Sequence, residues 1–227
     1  MLAIRLSLAF LLLGACSDEP FRSRNIHGWQ AFSLGTEPLD HALNREKRYV
    51  VSVPRKFIDE RWLPNPLLKD AKGRFLANAI RFGIMYPSME PAEDAWATGA
   101  IRVTIGNIRE DSISRSVDGS WLNHYSGFSI DLPDEFGLHV RKRADRDPLD
   151  RRIYFRISAQ DHVRIECTAN LREKKRWCLM IAKRPNEPYV ETGFYSIELP
   201  RWEERLQALR TLFRSEGKQP LERVLKS

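Results

Sequence analysis

Five histidines, His27, His41, His124, His139 and His162, are the first residues to test for chemistry in this chain. A helical zinc site needs two of them four residues apart with a glutamate between, and none is so placed. His124 stands near Asp118, Ser120 and Ser126, which supplies the parts of an acid–base pair and a hydroxyl nucleophile. No Gly-x-Ser-x-Gly turn is present to expose such a serine, and Asp118-Gly119 instead reads as the tip of a hairpin. Asp161-His162 reads as a polar turn between two strands. In "DRDPLD", Asp145, Asp147 and Asp150 are spaced like part of a calcium loop, but Pro148 and Leu149 stand where oxygen ligands and a glycine are needed. That stretch lies among Arg141, Lys142, Arg143, Arg146, Arg151 and Arg152, so it reads as a solvated loop with internal ion pairs. No glycine-rich phosphate loop occurs. The residues therefore predict no metal, no cofactor and no enzyme; a hydrolase assembled from distant residues is the least favoured reading.

The cysteines point elsewhere. "LLLGACSDE" (Leu11 to Glu19) closes the one strongly apolar run, Leu6 to Ala15, which follows Arg5 and is too short to cross a bilayer core of about 20 apolar residues. Positive end, short apolar middle and small residues before a cut make a secretory signal. Leu13-Gly14-Ala15-Cys16 resembles the lipobox of bacterial lipoproteins. The resemblance implies cleavage after Ala15, with Cys16 becoming the first residue and carrying the lipid that attaches the protein to a membrane. Several acyl chains on one residue give a stable anchor where one chain would not. With Ser17 rather than Asp after the cysteine, the resemblance implies the outer membrane, facing the periplasm. In that oxidising compartment Cys167 and Cys178 read as a disulfide. Val163, Ile165 and Cys167 alternate with Arg164, Glu166 and Thr168; a charged turn and a second apolar run, Trp177 to Ala182, complete a hairpin with the cysteines opposed or nearly so. Two cysteines alone make no zinc site, and their spacing is not that of a redox pair.

Removing residues 1–15 leaves 227 − 15 = 212 residues and takes away one arginine, so the formal charge falls from +7 to 36 − 30 = +6. That length can bury a real core. Residues 16–48, polar and irregular with Gly28, Gly35 and Pro38, read as a lipidated tether, in which Trp29 and Phe32 are the candidates for docking on the body. Residues 49–227 read as a single α+β domain. "YVVSV", "AIRFGIMY", "AIRVTIGN", "GFSIDL", "GLHVRK", "RIYFRIS", the cysteine hairpin and "GFYSIEL" are strand-like runs joined by short turns, as in an antiparallel sheet. The period then changes: Trp202, Leu206, Leu209, Leu212 and Phe213 fall at helical spacing, with Glu203 and Glu204 early, Arg210 and Arg214 late and Gly217 just past the end. This predicts a mostly antiparallel sheet with a C-terminal amphipathic helix packed on it. A shorter helix around Phe57 to Leu63 would be stopped by Pro64 and Pro66. The basic balance suits anionic headgroups or an acidic protein, but the charges are dispersed, so a mixed, soluble surface is the preferred reading, and nucleic acid is a poor partner for a chain held outside the cytoplasm.

"FGIMYPSMEPAEDAWATG" (Phe82 to Gly99) runs a strand into Tyr86-Pro87 and then an acidic loop with Met89, Pro91 and Trp96. With "VVSVPRKFI" (Val50 to Ile58), the lipid signal and the sheet-plus-helix plan, it resembles lipoproteins that serve as immunity proteins against type VI secretion effectors. The resemblance implies a non-enzymatic binding protein whose partner is a secreted effector, a lipase among the possibilities. Tyr86, Met89 and Trp96, or the arginines of the Arg141–Arg152 loop, are the candidate contacts; taken singly, Tyr86-Pro87 also reads as a strand end and Trp96 as a cap on the core. The other reading is an envelope-assembly or accessory lipoprotein with no toxin partner.

Overall fold

A computed structural model of the chain describes residues 27–35, 47–58, 68–92, 100–107, 128–143, 150–170, 175–220 and 224–226. Cys16, Trp96, His41, His124, the Asp118-Gly119 turn and residues 144–149 lie outside them. In chain order the strands are β1 (Trp29–Leu34), β2 (Lys47–Pro54), β3 (Leu68–Asp70), β4 (Phe75–Ala77), β5 (Ala79–Met85), β6 (Glu90–Pro91), β7 (Ala100–Gly106) and β8 (Phe128–Glu135). There follow β9 (Leu138–Arg143), β10 (Arg152–Ile157), β11 (His162–Asn170), β12 (Lys175–Lys183), β13 (Tyr189–Tyr195), helix α1 (Trp202–Arg210), β14 (Arg214–Pro220) and β15 (Val224–Lys226).

Nine strands form one sheet, ordered β6-β5-β7-β13-β12-β11-β10-β9-β8, with every described pair antiparallel. From β8 to β13 it is a meander in chain order, because short turns can join only antiparallel neighbours. A six-stranded sheet, β14-β2-β1-β4-β3-β15, holds a single parallel pair, β1 with β4. The period-two patterning fixes which residues share a face. Register places Ile80, Phe82 and Ile84 beside Ile105, Val103 and Ile101, and places Val190, Thr192 and Phe194 beside Ala182, Met180 and Cys178. Val163, Ile165 and Cys167 continue the same face. This inner face is covered on one side by Phe32, Leu34, Tyr49, Val51 and Val53 of the smaller sheet, all in one buried cluster with it. Phe57, in the 3₁₀ turn Arg55–Phe57 after β2, brings its ring to 5.5 Å from Phe82.

Helix α1 covers the other side. Trp202, Leu206 and Leu209 are fully buried in the same cluster, each contributing roughly 1.5–3 kcal/mol by leaving water. Trp202 donates its indole N–H to the carbonyl of Phe136 at 3.0 Å, and the Arg156 guanidinium lies 4.6 Å over its ring. At the far end Arg210 grips the buried Asp161 with both guanidinium nitrogens. Asp161 is held in turn by Ser158, whose hydroxyl accepts from the Asp161 N–H at 2.9 Å, so the Asp161-His162 turn locks the helix to the β10–β11 hairpin. Mostly antiparallel sheet with one C-terminal helix packed on it, the architecture is the α+β arrangement expected.

Three local expectations need correcting. Residues 29–34, placed in the tether, are strand β1: Phe32 and Leu34 are wholly buried, and β1 sits between β2 and β4. The helix stops at Arg210, seven residues before Gly217. Leu212 and Phe213 continue its apolar stripe but belong to the turn leading into β14, where Arg214 pairs with Ser52. Gly217, at φ 77°, serves the register shift between Ser215 and Lys218 instead of a helix end. Ser196 to Leu199, read as the tail of a strand, and Pro200 and Arg201, read as the start of the helix, together form a 3₁₀ turn leading into α1.

On the face of β2 opposite Tyr49 and Val51, Arg48 is completely buried and reaches across β1 to donate to the carbonyls of Ser33 (3.1 Å) and Ala77 (2.9 Å). It can do so because the residue facing it is Gly35: a Cβ there would lie 2.1 Å from Arg48 Nη1. Gly35→Ala is therefore expected to displace the guanidinium and cost about 2–4 kcal/mol, the sum of overpacking and lost charged hydrogen bonds. Urea unfolding of the two proteins reads this directly; an unchanged midpoint would show that the Arg48 bonds contribute little.

Candidate interaction surface

The nine-stranded sheet has a second face, and its residues follow from the same register. Tyr195 and Trp177 face each other across β13 and β12, Gly193 faces Leu179, and Glu191 faces Ile181. On β11 and β10 the series continues with Glu166 beside Ile153 and Arg164 beside Phe155, ending at Ile157. A half-buried strand should present polar groups here. Instead Trp177, Leu179, Tyr195 and Ile157 are exposed, the first and third each by about two-fifths of their surface (41% and 40%).

The arrangement is held from beneath. Trp177 lies flat against the backbone of Gly193, where a Cβ would come within 2.2 Å of its ring, and it meets the Tyr195 ring edge-on at 5.2 Å. Several polar side chains on this face bond one another. Arg164 bonds Glu166 at 2.5 Å, Arg141 bonds Asp131 at 2.6 Å, and His139 Nδ1 sits 3.0 Å from Asp134. Phe155 packs between His139 (5.5 Å) and the Arg141 guanidinium (5.6 Å). At the other end of β13 the Tyr189 ring covers Gly106, and burial, with the Glu191 carboxylate second, pushes its phenol up to about 12. An apolar strip with aromatic side chains and arginines is the composition of a protein-contact surface, where Trp, Tyr and Arg supply most binding energy.

The residues singled out for chemistry stay apart. His27 is exposed before β1, His139 lies on β9, and His162 opens β11. Among the described residues no three His, Cys, Asp or Glu side chains gather as a metal site. Cys167 and Cys178 are directly opposed in the β11–β12 ladder, joined as a disulfide and buried.

Of the candidate contacts, Tyr86 follows β5, and its ring is stacked 3.8 Å beneath the Arg205 guanidinium of α1, which also lies 5.0 Å from Phe194. Met89 ends the same turn at φ 57° and packs against the core. Both are half-buried. Of the Arg141–Arg152 loop, Arg141 lies on β9, and Arg152, on β10, is 3.8 Å from Glu135. Sequence reasoning missed Leu179, Ile181, Phe155 and Ile157 as surface residues. The signal was there: "WCLMIA" is apolar at six successive positions, although one face of the strand suffices for the core.

Comparison with known proteins adds little. No family model matches the chain, and no curated protein matches it. Among solved structures it is similar to the Neisseria meningitidis iron-regulated outer membrane lipoprotein FrpD, at 13% identity over 81% of this chain and 98% of that one, with a TM-score of 0.48. At that level the likeness carries no weight for fold or function.

Two outcomes test the electrostatics. Arg205 is buried with Nε and Nη1 lacking acceptors, Glu198 is 3.5 Å from Nη2, and desolvation lowers its pKa. Replacing an under-paired buried charge with an apolar chain of similar length removes that penalty. Arg205→Met should leave stability within about 1 kcal/mol of the parent or raise it; a loss of several kcal/mol would mean the stacking on Tyr86 outweighs burial. For Tyr189, the folded pKa lies above the unfolded value of 10.0. Its contribution is thus complete below pH 10 and disappears as pH rises through about 12, an effect of order 2–3 kcal/mol. Urea midpoints followed from pH 9 to 12 should fall less steeply in Tyr189→Phe than in the parent.

Proposed function

We propose that the protein is a lipid-anchored, periplasm-facing binding protein that acts without catalysis, as the immunity protein of a secreted type VI effector that attacks the envelope. The observation that carries the binding part is the exposed aromatic and aliphatic strip on the outer face of the nine-stranded sheet, set on a hydrogen-bonded ladder. A standard protein–protein contact buries about 800 Å² on each side, with a few aromatic or arginine anchors at its centre. Leu179 and Ile181 sit in the middle of such a patch, flanked by Trp177 and Tyr195 at one end and Phe155 and Ile157 at the other. The immunity part rests on the resemblance of the Val50–Ile58 and Phe82–Gly99 segments, and the location rests on the lipobox at Cys16. Tyr86 and Met89 then act by shaping the rim of the molecule, with the tight turn after β5 holding them in place.

The test has two arms. Deleting the gene should leave the strain vulnerable to a sister strain that carries an intact secretion system, and restoring the gene should protect it. Leu179→Lys and Ile157→Lys keep the fold, since both side chains already face water, but each should weaken binding to the neighbouring effector by roughly 30-fold or more if it lies at an anchor position. Unchanged survival on deletion, with no binding to any neighbouring gene product, would eliminate the immunity reading and leave the accessory lipoprotein.

A further inference from the structure

Five of the large apolar side chains exposed on this protein gather at one end of it. Register in the nine-stranded sheet puts Met85, the last residue of β5, level with Ala100 at the start of β7, and Tyr195 at the end of β13 level with Trp177 at the start of β12. Since Thr192 pairs with Val103, Tyr195 comes level with Ala100 as well, so these residues mark the same end of the sheet. Ile197 follows two residues after Tyr195 in the 3₁₀ turn and is 83% exposed, the most of any exposed large apolar side chain among the described residues. Trp29 opens β1, and it belongs to this end too. Gly28 accepts from the Arg55 N–H at 3.0 Å, and the adjacent Lys56 is 3.0 Å from Glu90, which pairs with Met85. The opposite end of the sheet carries the Asp161 turn, Lys183 and Tyr189.

The chain therefore enters the described structure at the end where these side chains are. From Cys16 to His27 is 27 − 16 = 11 residues, which can span at most about 40 Å even when fully extended. An anchor at Cys16 keeps this end facing the bilayer more readily than the other, which stands a further strand length away. The side-chain types suit that position. Trp and Tyr favour the headgroup layer, with an apolar ring and a polar atom each, and Ile and Met suit the acyl boundary. Arg214 stacks 4.1 Å over Trp29, giving that ring a cation at headgroup level. The other basic side chains of this end are mostly neutralised, Lys56 by Glu90, Arg176 by Asp150 and Arg201 by Glu204. The attraction is thus interfacial burial first, with anionic lipid adding little.

We infer that the end bearing Trp29, Met85, Trp177, Tyr195 and Ile197 lies against the bilayer that holds the lipid on Cys16, with those side chains in its interfacial layer. The inference rests on the lipoprotein reading above. It makes the anchor part of a two-point attachment that orients the protein: the lipid supplies affinity, and the apolar end removes the freedom to tumble.

The full lipoprotein, reconstituted into vesicles of phosphatidylethanolamine and phosphatidylglycerol, decides it. Ile197→Cys at this end and Ile157→Cys at the other are labelled with an environment-sensitive fluorophore. Cys16 is acylated and Cys167 bonded to Cys178, so each carries a single free thiol. In vesicles the label at 197 should emit to the blue and be quenched by iodide about five-fold less than the label at 157, with similar values in phosphatidylcholine alone. Equal quenching at the two sites in vesicle-bound protein overturns the inference. So does shielding at 197 that tracks protein density, which would indicate a second copy. If the unsubstituted protein takes up label and fails to float with the vesicles, it is the lipoprotein reading that has failed.

Discussion

The inner face of the nine-stranded sheet can be covered only once, and what covers it decides what the other face is left to do. One helix and one small sheet share the task. The helix covers the side where Trp202 meets Phe136 and Arg156 and where Arg205 meets Phe194, while Phe57 of the smaller sheet's flank meets Phe82 of β5. Chain connectivity makes the two coverings cooperative: β13 leads through the 3₁₀ turn into α1, and α1 leads directly into β14 of the smaller sheet. Loosening the helix therefore also frees the edge strand that pairs with β2. With both coverings spent on the inner face, Trp177, Leu179 and Ile157 remain outside.

Arginine is the residue on which this packing relies most. Arg48, Arg205 and Arg74, the last bonded to Asp70 at 2.5 Å, are nearly inaccessible, and the side chain of Arg210, bonded to Asp161, is largely covered. A planar guanidinium with five donors can satisfy several acceptors at once, so it survives burial where an ammonium would titrate. Each of these four is used differently: Arg48 on backbone carbonyls, Arg74 inside a hairpin turn, Arg210 as a clamp on a helix end, Arg205 as a plate between two aromatic rings. Of the four, Arg48, Arg74 and Arg210 are bonded to acceptors inside the fold, and Arg205 is under-paired.

How much of this was legible in the sequence depends on periodicity. β5, β7, β9 and β11 alternate cleanly, and each appears where its apolar residues recur at every second position. β1 hid because "WQAFSL" lies within a polar stretch bearing glycines, and its partner β4 is reached only through a non-local parallel pairing that no local pattern reveals. The helix was overextended for a physical reason as well: Leu212 and Phe213 point into the same core as Leu206 and Leu209, so burial continues after helical geometry has stopped. The cysteine hairpin was readable because alternation fixed the face of Cys167 and a short turn fixed its partner. The outer strip was harder, since an apolar residue on a strand looks the same whichever side it faces. Only the surplus of such residues in "WCLMIA" separates a surface from a core.

The contact face and the membrane-proximal end meet at Trp177 and Tyr195, and their geometry connects the two proposals. Strands of nine residues, as in β11 and β12, rise about 30 Å from one end to the other. With the Trp177 end at the bilayer, Leu179, Ile181 and the residues beyond them stand at successive heights above it on one side of the molecule. A partner working at the membrane would then meet the strip edge-on while both proteins are confined to the same layer, and confinement raises their effective concentration without any added contact. The same upright posture would hold Trp177 in the interfacial layer, so its edge-on contact with Tyr195 would mark the boundary between the surface that orients the protein and the surface that recognises the partner.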